Sequence, residues 1–261
     1  MFIPLHDANS LKHIRAQWVT WTLIGANIIV YLLTALAGEE STFSTTAVLG
    51  LGYIPSVVHN VAELPIEYVL VPKDWTYLTY SFLHADIFHV GSNMLFLWVF
   101  GDNVEDALGH VRYLIFYFAC AAAGAFVHGL FLPNSDAPLI GASGAVAGVV
   151  AAYLMLHPRV RVWVLVLGRI PLPLPAFIPL VFWVGMQFFM LFADMDGQVS
   201  WATHAGGIIA GVLLVLVLRR RGVPLFDRTI ESPKAVVHKT ETPVDHVQRP
   251  PNRPPPLKWG R

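Results

Sequence analysis

The residues of this chain whose types and spacing allow chemistry are Ser143, His204, His89 and Asn93. A serine hydroxyl is a poor nucleophile until a base takes its proton, and histidine is the usual base near neutral pH. Ser143 sits in Gly141-Ala142-Ser143-Gly144, where glycines let the backbone turn. At the start of a helix the backbone N–H groups lack internal partners and can donate to an oxyanion. His89 and Asn93 are four residues apart, so they project from one helical face as two further donors for the same charge. Position 145 is alanine, so this is not the Gly-x-Ser-x-Gly elbow of soluble hydrolases. Taken singly, each of these polar groups is more often a structural hydrogen bonder than a reacting group. Their position in the elements decides between the two.

Those elements are membrane helices. The chain has 261 residues, of which 55% are hydrophobic and 13% charged, and its mean hydropathy is +0.57. Ordinary globular chains carry about 25% charge, so an all-α, polytopic membrane bundle is expected. Lys and Arg total 17, as do Asp and Glu, so no basic field points to nucleic acid. The single cysteine, Cys120, excludes an internal disulfide framework and a Cys-based zinc site; no metal and no cofactor are expected.

A span needs about 20 mostly apolar residues. Stretches free of Asp, Glu, Lys and Arg predict spans at 18–37, 113–132, 137–156 and 199–218, a fifth at 176–193 after three alternating prolines, and a short, more polar sixth at 87–101. With the N-terminus inside, the inner segments hold Arg112, Arg159, Arg161, Arg169 and the cluster 219–221, whereas the outer loops hold Lys73 against nine acids from Glu39 to Asp196. Lys and Arg are retained on the cytoplasmic side, which predicts six spans with both termini cytoplasmic. The N-terminal stretch does not follow the order of a cleaved signal, so the first helix is read as retained. The expected organisation is a cytoplasmic segment 1–16, a six-helix membrane domain 17–218 with a large outer loop 38–88, and a disordered Pro-rich tail 219–261. Apolar and aromatic residues in the outer loop predict short segments lying in the membrane interface.

In this topology His89, Ser143 and His204 all fall near the outer ends of their spans, in one layer. From Ser143 to Arg159 the rise is ~24 Å at 1.5 Å per residue, less than the ~30 Å hydrocarbon core, so Ser143 is submerged. Gly144 and Gly148, like Gly207 and Gly211, are four apart, and small residues at that spacing allow close helix approach in lipid. Such pairs also hold bundles that do no chemistry. At matching depth, however, they bring His204 toward Ser143. His128 is expected to bond a helix-end carbonyl or to line the cavity, and Asn27 and Gln187 to make interhelical hydrogen bonds.

With these motifs the sequence resembles the rhomboid family of intramembrane serine proteases, of the bacterial type with a six-span core. The resemblance covers roughly residues 17–218 and rests on Gly141-Ala142-Ser143-Gly144, on His204-Ala205-Gly206-Gly207 with Gly211, and on His89 with Asn93. It implies that Ser143 is the nucleophile and His204 the general base, in a dyad without a carboxylate. His89, Asn93 and the Ser143 N–H then stabilise the oxyanion. The implied partners are transmembrane protein substrates and the lipid bilayer, and the implied location is the bacterial inner membrane. An opening beside span five is also implied, with gate candidates Phe182, Trp183, Phe188 and Phe189 there and Phe96 and Trp98 on span two. Two family features are missing. An aromatic residue often follows the serine by one turn and stacks on the histidine, but Ala147 stands there; a Glu-x-Arg pair often follows span two, but Glu105 is followed by Asp106 and Ala107. The competing functions are a catalytically silent rhomboid-like protein that binds membrane helices and a small transporter using the intramembrane histidines.

Overall fold

The structure, a computed structural model, describes residues 2–38, 41–166, 168–194 and 199–227. The acids Glu39, Glu40 and Asp196 and the expected tail from residue 228 onward lie outside the described residues. The described chain opens with strand β1 (Phe2–Asp7) and helix α1 (Trp18–Ala37). The loop 38–88 carries short elements: α2 (Thr42–Leu51), α3 (Pro55–Val58), α4 (Thr76–Thr79) and single 3-10 turns at Ile66–Tyr68, Lys73–Trp75 and Tyr80–Phe82. Then come α5 (Ile87–Leu108), α6 (His110–Phe131), α7 (Ser143–Leu156), a hairpin of β2 (Arg161–Val166) and β3 (Ile170–Pro175), α8 (Phe177–Ala193) and α9 (Trp201–Leu218). Helices α1, α6 and α9 are long and apolar enough to cross a membrane, and α7 and α8 are shorter apolar helices. Helix α9 packs between α6 and α7, while α8 rests on α9 and α7.

The two largest departures of the helices from the uncharged stretches each have a physical reason. Helix α5 continues past 101 to Leu108 although it carries Asp102, Glu105 and Asp106. Asp102 accepts from adjacent Asn103, whereas Glu105 and Asp106 are partnered by distant groups. Asp106 accepts from the N–H groups of Lys12, His13 and Ile14 at 3.0, 2.6 and 2.7 Å. Glu105 is fully buried and accepts from Val19 N, Thr20 N and Thr20 Oγ1 at 3.0, 2.8 and 2.7 Å. Gln17 gives α1 no side-chain cap; the Glu105 carboxylate caps it from another helix, where negative charge suits the helix dipole. The missing Glu-x-Arg pair is thus replaced by two carboxylates that grip the approach to α1. Helix α7 starts at Ser143 instead of 137, because residues 137–142 are pinned as a loop. Tyr53 N–H donates to Leu139 O (3.1 Å) and Leu139 N–H to Tyr53 O (2.8 Å).

The all-α expectation needs one correction: the fold is mostly helical but contains a three-stranded antiparallel sheet in the order β1-β2-β3. The prolines at 171, 173 and 175, which only delayed the start of the fifth span in the sequence, lie in β3, although proline cannot donate to a ladder. Here they pair opposite Leu165, Trp163 and Arg161, in the alternating phase whose nitrogens face away from β2, which an edge strand tolerates. The sheet's inner face buries Val162 and Val164, with Asp7 beside them. Asp7 accepts from Tyr153 Oη at 2.7 Å and from Asn103 Nδ2 at 3.0 Å. Burial, reinforced by the neighbouring Asp102 charge, pushes the Asp7 carboxyl up to about 7, against the Tyr153 hydrogen bond. After α9 the packed chain runs on to Asp227: Arg220 N–H donates to Ala107 O, and Phe226 and Asp227 donate to Met155 O and Leu156 O.

Candidate active site

Ser143 is the first residue of α7, and its N-cap, Ala142, has no side-chain acceptor to offer. The first N–H groups of α7 therefore have no partner within the helix. Just before them Gly141 adopts φ +121°, and a Cβ there would stand 2.6 Å from His89 Nε2. Only glycine lets the chain turn here with the His89 ring lying on its backbone. The helix start from which His89 projects is fixed by Asp86, the N-cap of α5, which accepts from the N–H groups of Phe88 (2.7 Å) and His89 (2.9 Å).

One turn further along α5, buried Asn93 donates from Nδ2 to His84 Nε2 at 3.1 Å. The same nitrogen accepts from Ala142 N–H at 3.4 Å. His84 therefore joins Asn93 to the loop that presents Ser143, a role the sequence alone did not assign it. Burial, helped by nearby His89, lowers the His84 pKa to about 4, which keeps the ring neutral and able to accept.

Helices α7 and α9 meet backbone to backbone. A Cβ on Gly207 would lie 2.8 Å from the Gly144 carbonyl carbon and nearer still to its oxygen. One on Gly211 would lie 2.7 Å from Gly148 Cα, and one on Gly144 would lie 2.8 Å from Thr203 Cγ2. Ser143 adjoins Gly144 and His204 adjoins Thr203, so the two residues occupy the same end of this seam. Ser143, His204 and His89 are half-buried, while their neighbours Ala142, Gly144, Thr203, Ala205 and Val90 are buried. A direct Ser143–His204 hydrogen bond is not among the described contacts.

His204 is held from its other side by α8. Its Nδ1 lies 2.8 Å from Gln187 Oε1, and the Trp183 ring stacks on it at 6.4 Å and 27°. Trp201 meets it edge-on at 5.8 Å. The small Ala147 is what makes room for this: Trp183 packs on the buried cluster of Ala147, Ala151 and Ile208, so the stacking aromatic comes from another helix. The start of α9 is fixed by Ser200, which accepts from Thr203 N–H (3.3 Å) and is bonded to His128 Nδ1 (2.7 Å). His128 thus partners a capping hydroxyl, neither a carbonyl nor the cavity. Asn27 donates to Leu23 O in its own helix and also meets Tyr117 of α6.

Of the six aromatic gate candidates, Phe96 and Trp183 touch across the gap between α5 and α8, at 5.8 Å and 35°. Phe188 packs inward beside Ala147 and Ile208. Trp98, Phe182 and Phe189 are more than half exposed, at 55%, 62% and 64%. Among the described residues no three His, Cys, Asp or Glu side chains gather as a metal site.

A family model described as the Rhomboid domain matches residues 72–221. The chain is 29% identical over 182 residues to Rhomboid protein 1, mitochondrial, of Saccharomyces cerevisiae, covering 64% of this chain and 49% of that protein. It is 24% identical over 229 residues to RHOMBOID-like protein 6, mitochondrial, of Arabidopsis thaliana, covering 77% and 70%. It is also 26% identical over 143 residues to the rhomboid protease GlpG of Salmonella choleraesuis, covering 55% and 45%. The match thus spans about half the length of the yeast and Salmonella proteins. Mitochondrial and bacterial proteins both stand among these relatives, so the likeness is to the family and not to its bacterial branch alone.

Proposed function

The chain belongs to the rhomboid family, and from that premise we propose that it is an intramembrane serine endopeptidase cutting other membrane proteins in or near their transmembrane segments. The observation that carries the reading is the glycine seam, which sets half-buried Ser143 and His204 at one end of the α7–α9 pair. In this reading α1, α5, α6, α7, α8 and α9 are six spans with both termini cytoplasmic, as the arginine distribution supports. In this reading the membrane is a bacterial inner membrane, as for a relative of GlpG, with a mitochondrial membrane the alternative that the yeast and Arabidopsis relatives offer. Helix α7 has 14 residues, or ~21 Å of rise against a ~30 Å core. Ser143 therefore lies below the outer surface, and substrates arrive from the side, between α5 and α8.

The reaction runs in two halves. Ser143 Oγ bonds to the carbonyl carbon of the scissile peptide while its proton passes to the His204 imidazole. Charge that develops on the carbonyl oxygen is met by the Ser143 N–H, Asn93 Nδ2 and the His89 ring. The C–N bond then breaks and the departing amine takes the proton from His204. Water, deprotonated by the same imidazole, releases the acyl group and returns Ser143 to its starting state. The substrate segment must unwind first, because a helical peptide bond is shielded by its own hydrogen bonds.

The test is fluorophosphonate labelling of the purified protein, with cleavage of a model single-span substrate in detergent. Wild type should be labelled on Ser143 and should cut, while Ser143→Ala and His204→Ala do neither and still fold. Wild type that neither labels nor cuts, yet binds the substrate helix, would make the chain a silent helix-binding relative.

A further inference from the structure

We propose that Gln187 is a positioning residue for His204, and that with it α8 supplies the tautomer and seat that the dyad lacks a carboxylate to provide. This rests on the endopeptidase reading above.

The argument turns on which way the Gln187 amide points. Its Nε2 donates to Trp183 O, one turn earlier in α8, at 3.0 Å. A carbonyl only accepts, so the amide nitrogen must face Trp183 and Oε1 must face His204. Turning the amide over would set two oxygens against each other. Oε1 in turn only accepts, so the His204 nitrogen at 2.8 Å has to be the donor. The neutral ring therefore carries its proton on Nδ1, leaving the Nε2 lone pair to take the proton of Ser143. Free histidine favours the opposite tautomer, so this amide selects the productive form.

The second part is placement. Trp183 and Gln187 are four apart on one face of α8, and both contact His204, one by stacking and one by hydrogen bonding. Gln187 is only 3% exposed, so water does not compete for the bond. Alanine at 147 gives the His204 ring no stacking partner from α7, and α8 supplies one instead. Trp183 also closes the gap to α5 through Phe96. One helix thus guards the entrance and orients the base, so that displacing α8 costs reactivity as well as opening a path.

The experiment measures tautomer and turnover separately. Protein carrying 15N-histidine is prepared in detergent, and the His204 resonances are assigned by their loss in His204→Ala. Wild type should show the Nδ1–H form, and Gln187→Leu should revert toward Nε2–H; an Nε2–H ring in wild type overturns the proposal, whether or not the protein cuts. Turnover is then measured on a transmembrane substrate and on a short soluble peptide. Gln187→Leu should lower kcat on both by about 10- to 100-fold with little change in KM, a smaller loss than removal of a buried triad carboxylate causes. Gln187→Glu keeps an oxygen acceptor and should recover most of the rate. If Gln187 merely latched α8, Gln187→Leu would speed the transmembrane substrate and leave the short peptide unchanged, and that pattern also overturns the proposal. Failure of wild type to label at Ser143 with the Nδ1–H form present would instead count against the endopeptidase reading alone.

Discussion

Adding one methyl group at Gly207 should separate the reacting pair. The new Cβ would stand 2.8 Å from the Gly144 carbonyl carbon, with the carbonyl oxygen closer still. Both obstacles are backbone, so no side chain can swing aside. Carbon atoms pack comfortably at about 3.5 to 4.0 Å, so α7 and α9 must part by about 1 Å at the turn that carries Ser143 and His204. Overpacking of this kind costs about 1 to 3 kcal/mol of stability, and a 1 Å misplacement of catalytic groups costs about 100-fold in rate. Gly211→Ala opens the same seam one turn farther from the reacting residues. It should lose similar stability and much less rate. Gly25→Ala in α1 meets nothing within 4 Å and serves as the control, with wild-type kcat and equal or slightly higher stability. The assays are thermal unfolding in detergent and kcat on a short soluble peptide, which needs no gate. Wild-type kcat and unfolding temperature in Gly207→Ala would refute the idea that backbone contact at this seam sets the catalytic geometry.

Three further outcomes are expected. Asn93→Ala and His89→Ala should each lower kcat by about 10- to 1000-fold with little effect on KM, since their donors serve charge that appears only in the transition state; a change confined to KM would reassign the residue to substrate binding. Phe96→Ala should speed cleavage of the transmembrane substrate relative to the short peptide, whereas Trp183→Ala, which also removes the stack on His204, should slow the short peptide; identical behaviour of the two variants would contradict the division of labour on α8. Asp7 is raised from 3.8 to about 7, so folding favours its protonated form: the associated stability is complete below pH ~4 and is lost as pH rises to ~7. Asp7→Asn keeps an acceptor for Tyr153 and Asn103 without the charge, so its unfolding temperature between pH 5 and 8 should fall less than that of wild type; parallel curves would show that Asp7 is not the group responsible.

The parts of this molecule legible in its sequence are those governed by local rules. Helix α1 spans 18–37 in both readings because uncharged length alone defines it. The paired glycines announced the seam, since close approach leaves no alternative to a missing side chain. What stayed hidden depends on partners far along the chain. Hydropathy ended the second span at Asp102, although its carboxylates meet backbone some 90 residues earlier, such as Lys12 N against Asp106. The start of span four near Ser143 is legible, but nothing local reveals that Tyr53 pins residues 137–142 ahead of it. Gln187 was visible as a polar residue in an apolar span, but its partner His204, like the Asn93 partner of His84, is set by helix packing that no single spacing encodes. Trp183 was read as a gate, and its second contact appeared only once Ala147 had left room for it.

The prolines of β3 have a bearing on how this chain coexists with its own kind and with unwound peptides. Every outward-facing nitrogen at positions 171, 173 and 175 lacks a hydrogen, so the free edge of the sheet displays acceptors without donors. An incoming extended segment finds there only half of a ladder and cannot zip onto it. Such an edge stays inert toward extended segments, so neighbouring molecules do not join sheet to sheet. Replacing these prolines with valine would restore the donors, and self-association would be the cost.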